Sequence, residues 1–395
     1  MGTNKIIQNW QIKKLGEVCE IRSGKNQKNV VNPNGKYPIY GSSGIFGYAD
    51  DYISDANTTI IGRKGTINNP IYVTEKFWNV DTAFGLHSKE ELNSKYLFYF
   101  CKSFNFHKLD KSTTIPSLSK TDLHSIEVPI PPLETQQALV SKIEELFSEL
   151  DKGIAELKTA QQQLKTYRQS VLKSAFEGKL TNENVKDGEL PDGWEIVKIK
   201  DVASTYGGYA FKSGEFKSDG KYQVLRMGNV RPGIVRYEEN PVFLSDVEES
   251  ILNKSLLKIN DVIITQTGTR KKRDYGFTTL ISKNNLLLNQ RIAAIRFNEY
   301  YSPKFFLYYS WTDTFKDQFF ANETGNVGQG NVGMKAVTET LIPFPVIQEQ
   351  HRIVQEIESR LSVADKMEQS IQESLQKAEA LRQSILKKAF SGELV

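Results

Sequence analysis

From Ile143 onward an apolar residue returns every seven positions, at Leu150, Leu157, Leu164 and Val171, while Leu139, Leu146, Ala160 and Tyr167 fill the seam between them. Five successive heptads predict a coiled-coil helix, because a helix that only closes a globular core rarely keeps one strict seam for so long. The same frame returns at Ile357, Ala364, Ile371, Ala378 and Ile385, but with smaller residues and with Arg360 among them. The second helix therefore needs a partner with larger side chains. Run antiparallel, the two would set Leu150 near Ala378 and Leu164 near Ala364, large against small. Prolines stand just before each run, in PIPPLETQQALV and PFPVIQEQHRIV, and Gly178 and Gly392 stand where a helix end favours positive φ. Each helix is expected to hold about 44 residues, a rod of roughly 65 Å.

The seam recurs because the chain repeats itself. At an offset of 214, Pro129–Leu180 aligns without a gap on Pro343–Leu394, and 19 of the 52 positions are identical; unrelated pairing would give about one in twenty. At an offset of 184, WQIKKLGEV from Trp10 matches WEIVKIKDV from Trp194. One plan, a variable module followed by a shared helix, is written twice. The second module carries 30 more residues than the first, the difference of the two offsets, and these are expected in loops. The division is residues 1–133 and 186–346 for the modules, 134–185 and 347–395 for the helices.

Inside the modules the period changes. Short β-branched and aromatic runs such as TTIIG, NPIYV and DVIIT alternate with Gly, Asn and Ser turns, which predicts strands with irregular loops. One short helix, Ser94–Phe104, recurs as Ser302–Phe315. Each module is α+β. The N-terminal stretch lacks a secretory pattern, Cys19 and Cys101 have no Cys-x-x-Cys spacing, and no apolar run could span a bilayer, so a cytoplasmic location is expected. A formal charge of +4 permits an acidic partner without requiring one.

What matters is where the cations fall. RSGKNQKN, YGSSGIFGY and GRKGT in the first module, and YGGYAFKSG, LRMGNVRPG and TQTGTRKKRDYG in the second, place basic and small polar residues in glycine-flanked turns. Such loops suit phosphates, and Arg, Asn and Gln can also read base edges. The candidates are Lys25, Arg63, Lys64, Lys212, Arg226, Arg231, Arg270, Lys271, Lys272 and Arg273, then Ser42, Asn229, Thr269, Gln329 and Asn331. Tyr206, Tyr209 and Phe211 add stacking surface. Any one cluster alone is ordinarily a solvated loop; recurrence at corresponding places in both modules favours function.

Three tempting motifs fail on context. GQGNVG at Gly328–Gly333 matches a dinucleotide loop literally, yet it follows a polar stretch rather than a buried strand. NNPIY at Asn68–Tyr72 has Ile71 where an adenine methyltransferase motif has proline, and it reads as a turn entering a strand. His87, His107, His124 and His351 lack metal-ligand spacing. No catalytic or metal site is expected.

The order of phrases is itself distinctive: a Trp-led module, PIPPLETQQ opening a helix that ends RQSVLKSAFEGKL, LPDGW opening a second module, then QEQHRIV and a final RQSILKKAFSGEL. This order resembles the specificity subunit of type I restriction-modification systems over essentially the whole chain. The resemblance implies two target recognition domains, related by a pseudo-two-fold axis and joined by two long antiparallel coiled-coil helices, each reading one half of a split site on double-stranded DNA. It also implies partners: two methyltransferase subunits that use S-adenosylmethionine to methylate adenine, and restriction motor subunits that use ATP and Mg. This chain would then hold no cofactor and do no chemistry. Because the modules differ, the site should be asymmetric, with half-sites about one turn, roughly 34 Å, apart and a spacer set by the helices. A self-sufficient methyltransferase, and a coiled-coil tether or protein-interaction scaffold without DNA specificity, are the rival readings.

Overall fold

In this computed structural model, which describes residues 9–182, 184–186 and 188–395, the heptads lie in two helices of 44 residues each, Leu133–Phe176 and Ile347–Phe390. The first eight residues, the start of the stretch read as lacking a secretory pattern, lie outside the described residues. The chain divides into two units, residues 1–159 with 371–395, and residues 160–370. Each long helix is therefore shared between both. Among the described residues no helix is long and apolar enough to cross a membrane.

In the first unit a four-stranded antiparallel sheet runs in the order Cys19–Ser23, Ala83–Ser88, Thr58–Gly62 and Ile71–Val73. A three-stranded sheet joins Gly44–Ala49, Tyr37–Gly41 and Trp78–Asn79, the last pair parallel. A ribbon of Gln11–Lys14 with Glu127–Ile130 leads into the first long helix. The second unit repeats this plan with Ala203–Gly207, Ile292–Phe297, Val262–Thr265 and Thr278–Leu280 in one sheet. Phe243–Leu244, Tyr222–Leu225 and Leu286–Leu288 form its second sheet, and Glu195–Lys198 pairs with Leu341–Phe344 in its ribbon. The added residues of the second module are not only loops. They include the hairpin Val230–Arg231 with Ile234–Val235 and the helices Glu249–Ser255 and Asp313–Ala321.

A backbone crossing that only glycine permits explains one identity between the modules. A Cβ on Gly24 would lie 1.9 Å from the carbonyl oxygen of Val80, and one on Gly208 would lie 1.8 Å from that of Asn289. The segments Trp78–Thr82 and Leu288–Arg291 thus pass directly over these glycines, and Lys25 and Tyr209 donate their N–H groups to Asn79 and Leu288.

The long helices close both cores. In the first unit Leu139, Val140 and Ile143 meet Ile385, Leu386 and Ala389 of the other helix against the sheet and the helix Ser94–Ser103. In the second, Ile353, Val354 and Ile357 meet Val171, Leu172 and Ala175. Within each unit the helices run antiparallel. Repeat-related ion pairs set the register: Arg382 with Asp151 in the first unit, Arg168 with Asp365 at 2.7 Å in the second. Leu150, Leu157 and Ala378 line one groove, and of the remaining seam residues Ala364 is buried while Leu164 and Ile371 are half-buried. Phe390 packs edge-on to Tyr96 and Phe100, as Phe176 packs against Phe305 and Tyr309. Gly178 and Gly392 end the helices at φ of 75° and 71°.

A buried glutamine fixes each helix start. Gln136 is fully buried, donates to the carbonyls of Glu91 and Pro131 at 3.0 and 2.9 Å, and accepts from the backbone N–H of Asn93 at 2.8 Å. Gln350, equally buried, donates to Tyr300 and Pro345 at 3.0 and 2.8 Å and accepts from Ser302 at 2.7 Å. Leucine at either position would strand one donor and two acceptors out of water. Gln136→Leu or Gln350→Leu should lower the unfolding free energy by about 3 kcal/mol in a urea titration, whereas Gln162→Ala, on an exposed helix face, should change it by less than about 0.5 kcal/mol.

Candidate nucleic-acid interface

The loops singled out in the first module converge on the crossing segment. Arg63 and Lys64 donate their N–H groups to the carbonyl of Thr82, Lys25 donates its own to Asn79, and Val80 donates to Tyr40 beside the Gly41–Gly44 turn. Ser42 lies close enough to the next loop that a Cβ on Gly62 would sit 2.9 Å from its own. Lys25, Arg63 and Lys64 are exposed and Ser42 is half-buried. The Arg63 guanidinium lies over the ring of Phe84, 5.8 Å from its centre. One short segment therefore gathers all four candidates.

The second module builds the same crossing with different side chains. Asn289 donates its N–H to Leu225, Gln290 to Tyr209, and the carbonyl of Arg291 receives the N–H of Gln266. A recess of about 470 Å³ opens here, between Arg226, Asn240, Asn289, Gln290 and Arg291. A second, of about 700 Å³, shares Met227 and Gly228 with it and runs past Arg231, Thr267 and Thr269 to Gln329. The two adjoin at Met227 and Gly228 and make a cleft with arginines and carboxamides along it, the side-chain types that pair with guanine and adenine edges. Asn289, Gln290 and Arg291 escape a loop-by-loop reading because they sit between two apolar runs, LLL and IAAI. The signal was there nonetheless: three consecutive polar residues inside an otherwise apolar stretch do not fit a strand buried on both faces.

The basic run Arg270–Arg273 splits by role. Arg270 is held by Glu323 at 2.8 Å, and Glu323 also receives the Tyr275 hydroxyl. The hydroxyl first, then the guanidinium, hold the Glu323 carboxyl below its usual range. Arg273, at φ 46°, folds back over the ring of Phe320, 4.7 Å from its centre. Lys271 and Lys272 are exposed, and among the described residues neither has a carboxylate partner. Lys212 is exposed at the start of the turn Ser213–Glu215, outside both recesses.

Some expected contacts are structural. Asn229 is 3% exposed; its carboxamide accepts from the N–H of Arg226 and donates to the carbonyls of Arg236 and Glu239, so it holds the loop and cannot read a base. Tyr206 donates to Asp261 at 2.6 Å while Arg296 lies 5.1 Å over its ring, which removes it as a stacking platform. Tyr209 keeps its exposure, packed edge-on to Phe211. Arg231 donates to the carbonyls of Gly228 and Val230, which steadies it at the cleft wall. Gln329 and Asn331 belong to a strand rather than a loop. That strand pairs with Thr267–Thr269, the Asn331 side chain accepting from the Thr267 hydroxyl at 2.7 Å, and no cofactor cradle forms from GQGNVG.

Two variants separate these roles. Lys271→Gln with Lys272→Gln should flatten the slope of log affinity for DNA against log salt by about 2, with the unfolding midpoint unchanged. Asn229→Ala should instead lower the unfolding free energy by about 2 kcal/mol, because three backbone groups lose their partner.

Comparison with known proteins identifies the family. The family model described as the type I restriction modification DNA specificity domain matches residues 7–160 and 191–377. The EcoBI specificity subunit of Escherichia coli is 25% identical over 356 residues, covering 85% of this chain and 73% of that protein. The MjaVIII specificity subunit of Methanocaldococcus jannaschii is 25% identical over 378 residues, covering 90% and 87%. Among solved structures, a chain from a study of complex assembly and conformational transition in the type I R-M system aligns at a TM-score of 0.76, 18% identity and coverage of 98% and 99%. The HsdS subunit of Thermoanaerobacter tengcongensis aligns at 0.60, 18% identity and 98% of both chains. With the family model spanning both modules and most of both helices, this chain belongs to the type I restriction-modification DNA specificity family.

Proposed function

We propose that this chain is the sequence-specific DNA-recognition subunit of a type I restriction-modification complex, with each module reading one half of a split, asymmetric site. One observation carries the reading. Two copies of a single scaffold gather their polar loops at the same backbone crossing, with Lys25, Ser42, Arg63 and Lys64 around one and Arg226, Asn289, Gln290 and Arg291 around the other. A shared scaffold with unlike side chains suits two unlike half-sites. Exposed lysines at 25, 64, 271 and 272 suit phosphates, whose contacts orient without specifying sequence, while carboxamides and tethered arginines suit base edges.

The chemistry belongs to partners. Two methyltransferase subunits using S-adenosylmethionine would modify an adenine in each half-site, and restriction motor subunits using ATP and Mg would complete the complex. The chain itself selects the sequence and scaffolds the enzymes.

Long-read methylation mapping of cells carrying this chain and its methyltransferase should reveal methylated adenines on opposite strands of one split, asymmetric sequence. A palindromic site, or new methylation independent of this chain, would overturn the reading. Calorimetric titration of the purified chain with S-adenosylmethionine should give no binding heat.

A further inference from the structure

We propose that Phe46, with Ile45 beside it, is an apolar wedge that enters between two stacked base pairs of the half-site read by the first module. The inference rests on the DNA-recognition reading above and adds an apolar contact to its polar ones.

The strand Gly44–Ala49 is an outer strand of its three-stranded sheet and carries no charged residue. Its register against Tyr37–Gly41 slips once: Ile39 pairs with Gly47 and Tyr40 with Ile45, which leaves Phe46 as the extra residue of a β-bulge. Bulges at sheet edges re-aim a side chain. Ile45 is 51% exposed and Phe46 57%, so two consecutive large apolar residues of one strand both meet water, where a strand with one buried face would cover one of them. Tyr48 and Val31, the latter bridged to Ala49 at the end of the strand, are exposed as well. An apolar sheet edge invites other chains, and proteins usually blunt it with charge. The bulge interrupts pairing along this edge yet buries neither side chain, so a further strand would not cover them.

The position of the ring points to what does. A Cβ on Gly41 would lie 3.3 Å from the Phe46 ring and 3.8 Å from Cγ2 of Val80, which sets the ring beside the crossing segment that gathers Lys25, Arg63 and Lys64. The turn of the same hairpin holds Ser42. Three cations stand there against the one carboxylate of that segment, Asp81, a balance that favours a polyanion. The edge of a base pair offers little apolar surface for two side chains of this size, whereas the faces of bases do, and these are reached only where a step is opened. A wedge also selects sequence, since steps differ in how readily they open. The corresponding strand of the second module, Phe243–Leu244, has no such pair, Leu244 being buried, so the wedge belongs to one half-site.

The test uses the full chain in complex with its methyltransferase on the mapped site, with a single nick moved one step at a time through both half-sites. A nick loosens stacking at its step and changes no base. At one step, in one half-site only, the nicked duplex should bind about fivefold tighter than the intact one, because less unstacking remains to be done. Phe46→Ala should erase that gain and weaken binding to the intact site about tenfold, the worth of one stacked ring. The slope of log affinity against log salt should stay as it was, since an apolar contact releases no counterions. Phe46→Trp, which keeps a flat ring, should retain the gain. The proposal fails if no step gains, if every gain survives Phe46→Ala, or if the loss in Phe46→Ala comes with a flattened salt slope, the mark of a disturbed basic loop. A protein on this patch, the methyltransferase or a second copy of the chain, would show as weaker assembly of Phe46→Ala in sedimentation with DNA affinity unchanged, and would also overturn it. Any of these with tight binding to the mapped site leaves the DNA-recognition reading intact. Loss of all sequence preference in the wild-type complex would sink both.

Discussion

The interaction on which the rest depends is the glutamine clamp at the start of each long helix. A helix begins with backbone N–H groups that have no intrahelical partner, and the short helix beneath it begins the same way. Gln136 and Gln350 each take one such N–H, that of the short helix's cap residue, and tie the two starts together by giving their own hydrogens to a carbonyl of the chain just before each helix. An amide has the required one acceptor and two donors in a fixed plane, which an apolar or charged side chain of the same size lacks. The long helix is thereby locked in direction as well as position. A second device repeats the lock about two turns along: Glu144 pairs with Lys95 and Glu358 with Lys304, at 2.7 and 2.8 Å.

With the scaffold fixed by these repeated contacts, the remainder of each module is free to diverge. The same sheet position shows how far this goes. In the second unit the buried Asp261 is gripped by both arms of Arg296 and by Tyr206, a closed charge network. In the first, Thr58 and His87 meet at 3.0 Å, and burial together with the nearby Arg22 lowers the imidazole pKa, favouring the neutral ring. A charged solution and a neutral one occupy one place in one fold. The segments over Gly24 and Gly208 diverge in the same manner, because only the backbone crossing is constrained and the side chains above it are not.

Legibility in the sequence followed the nature of the constraint. Helix length, the capping glycines and the repeat could be read because they depend on local spacing: heptads, a proline before and a glycine after. The glutamines could have been read too, since Gln136 and Gln350 are identical across the repeat and sit just inside an apolar face, where a polar residue must be satisfied. Roles set by distant partners could not. Asn229 looks like a loop residue able to contact a base, and only the carbonyls of Arg236 and Glu239 show that its donors are already committed. Tyr206 looks like a stacking ring until Asp261 and Arg296 close on it. The helices Glu249–Ser255 and Asp313–Ala321 were hidden because a short helix that gains its stability from tertiary packing leaves little periodic trace.

The four-cation run at Arg270–Arg273 gains meaning from this distinction. A lysine on open surface keeps its side-chain freedom, and Lys271 and Lys272 are of that kind. An arginine held by a carboxylate has already lost much of its side-chain freedom, and Arg270 is fixed in this way through Glu323 and Tyr275. Arg273 is laid over Phe320 and turns the backbone there at positive φ. Four adjacent positive charges thus divide into two on open surface, one tied to a carboxylate and one laid over a ring, and the division is made by residues some fifty positions away in the chain.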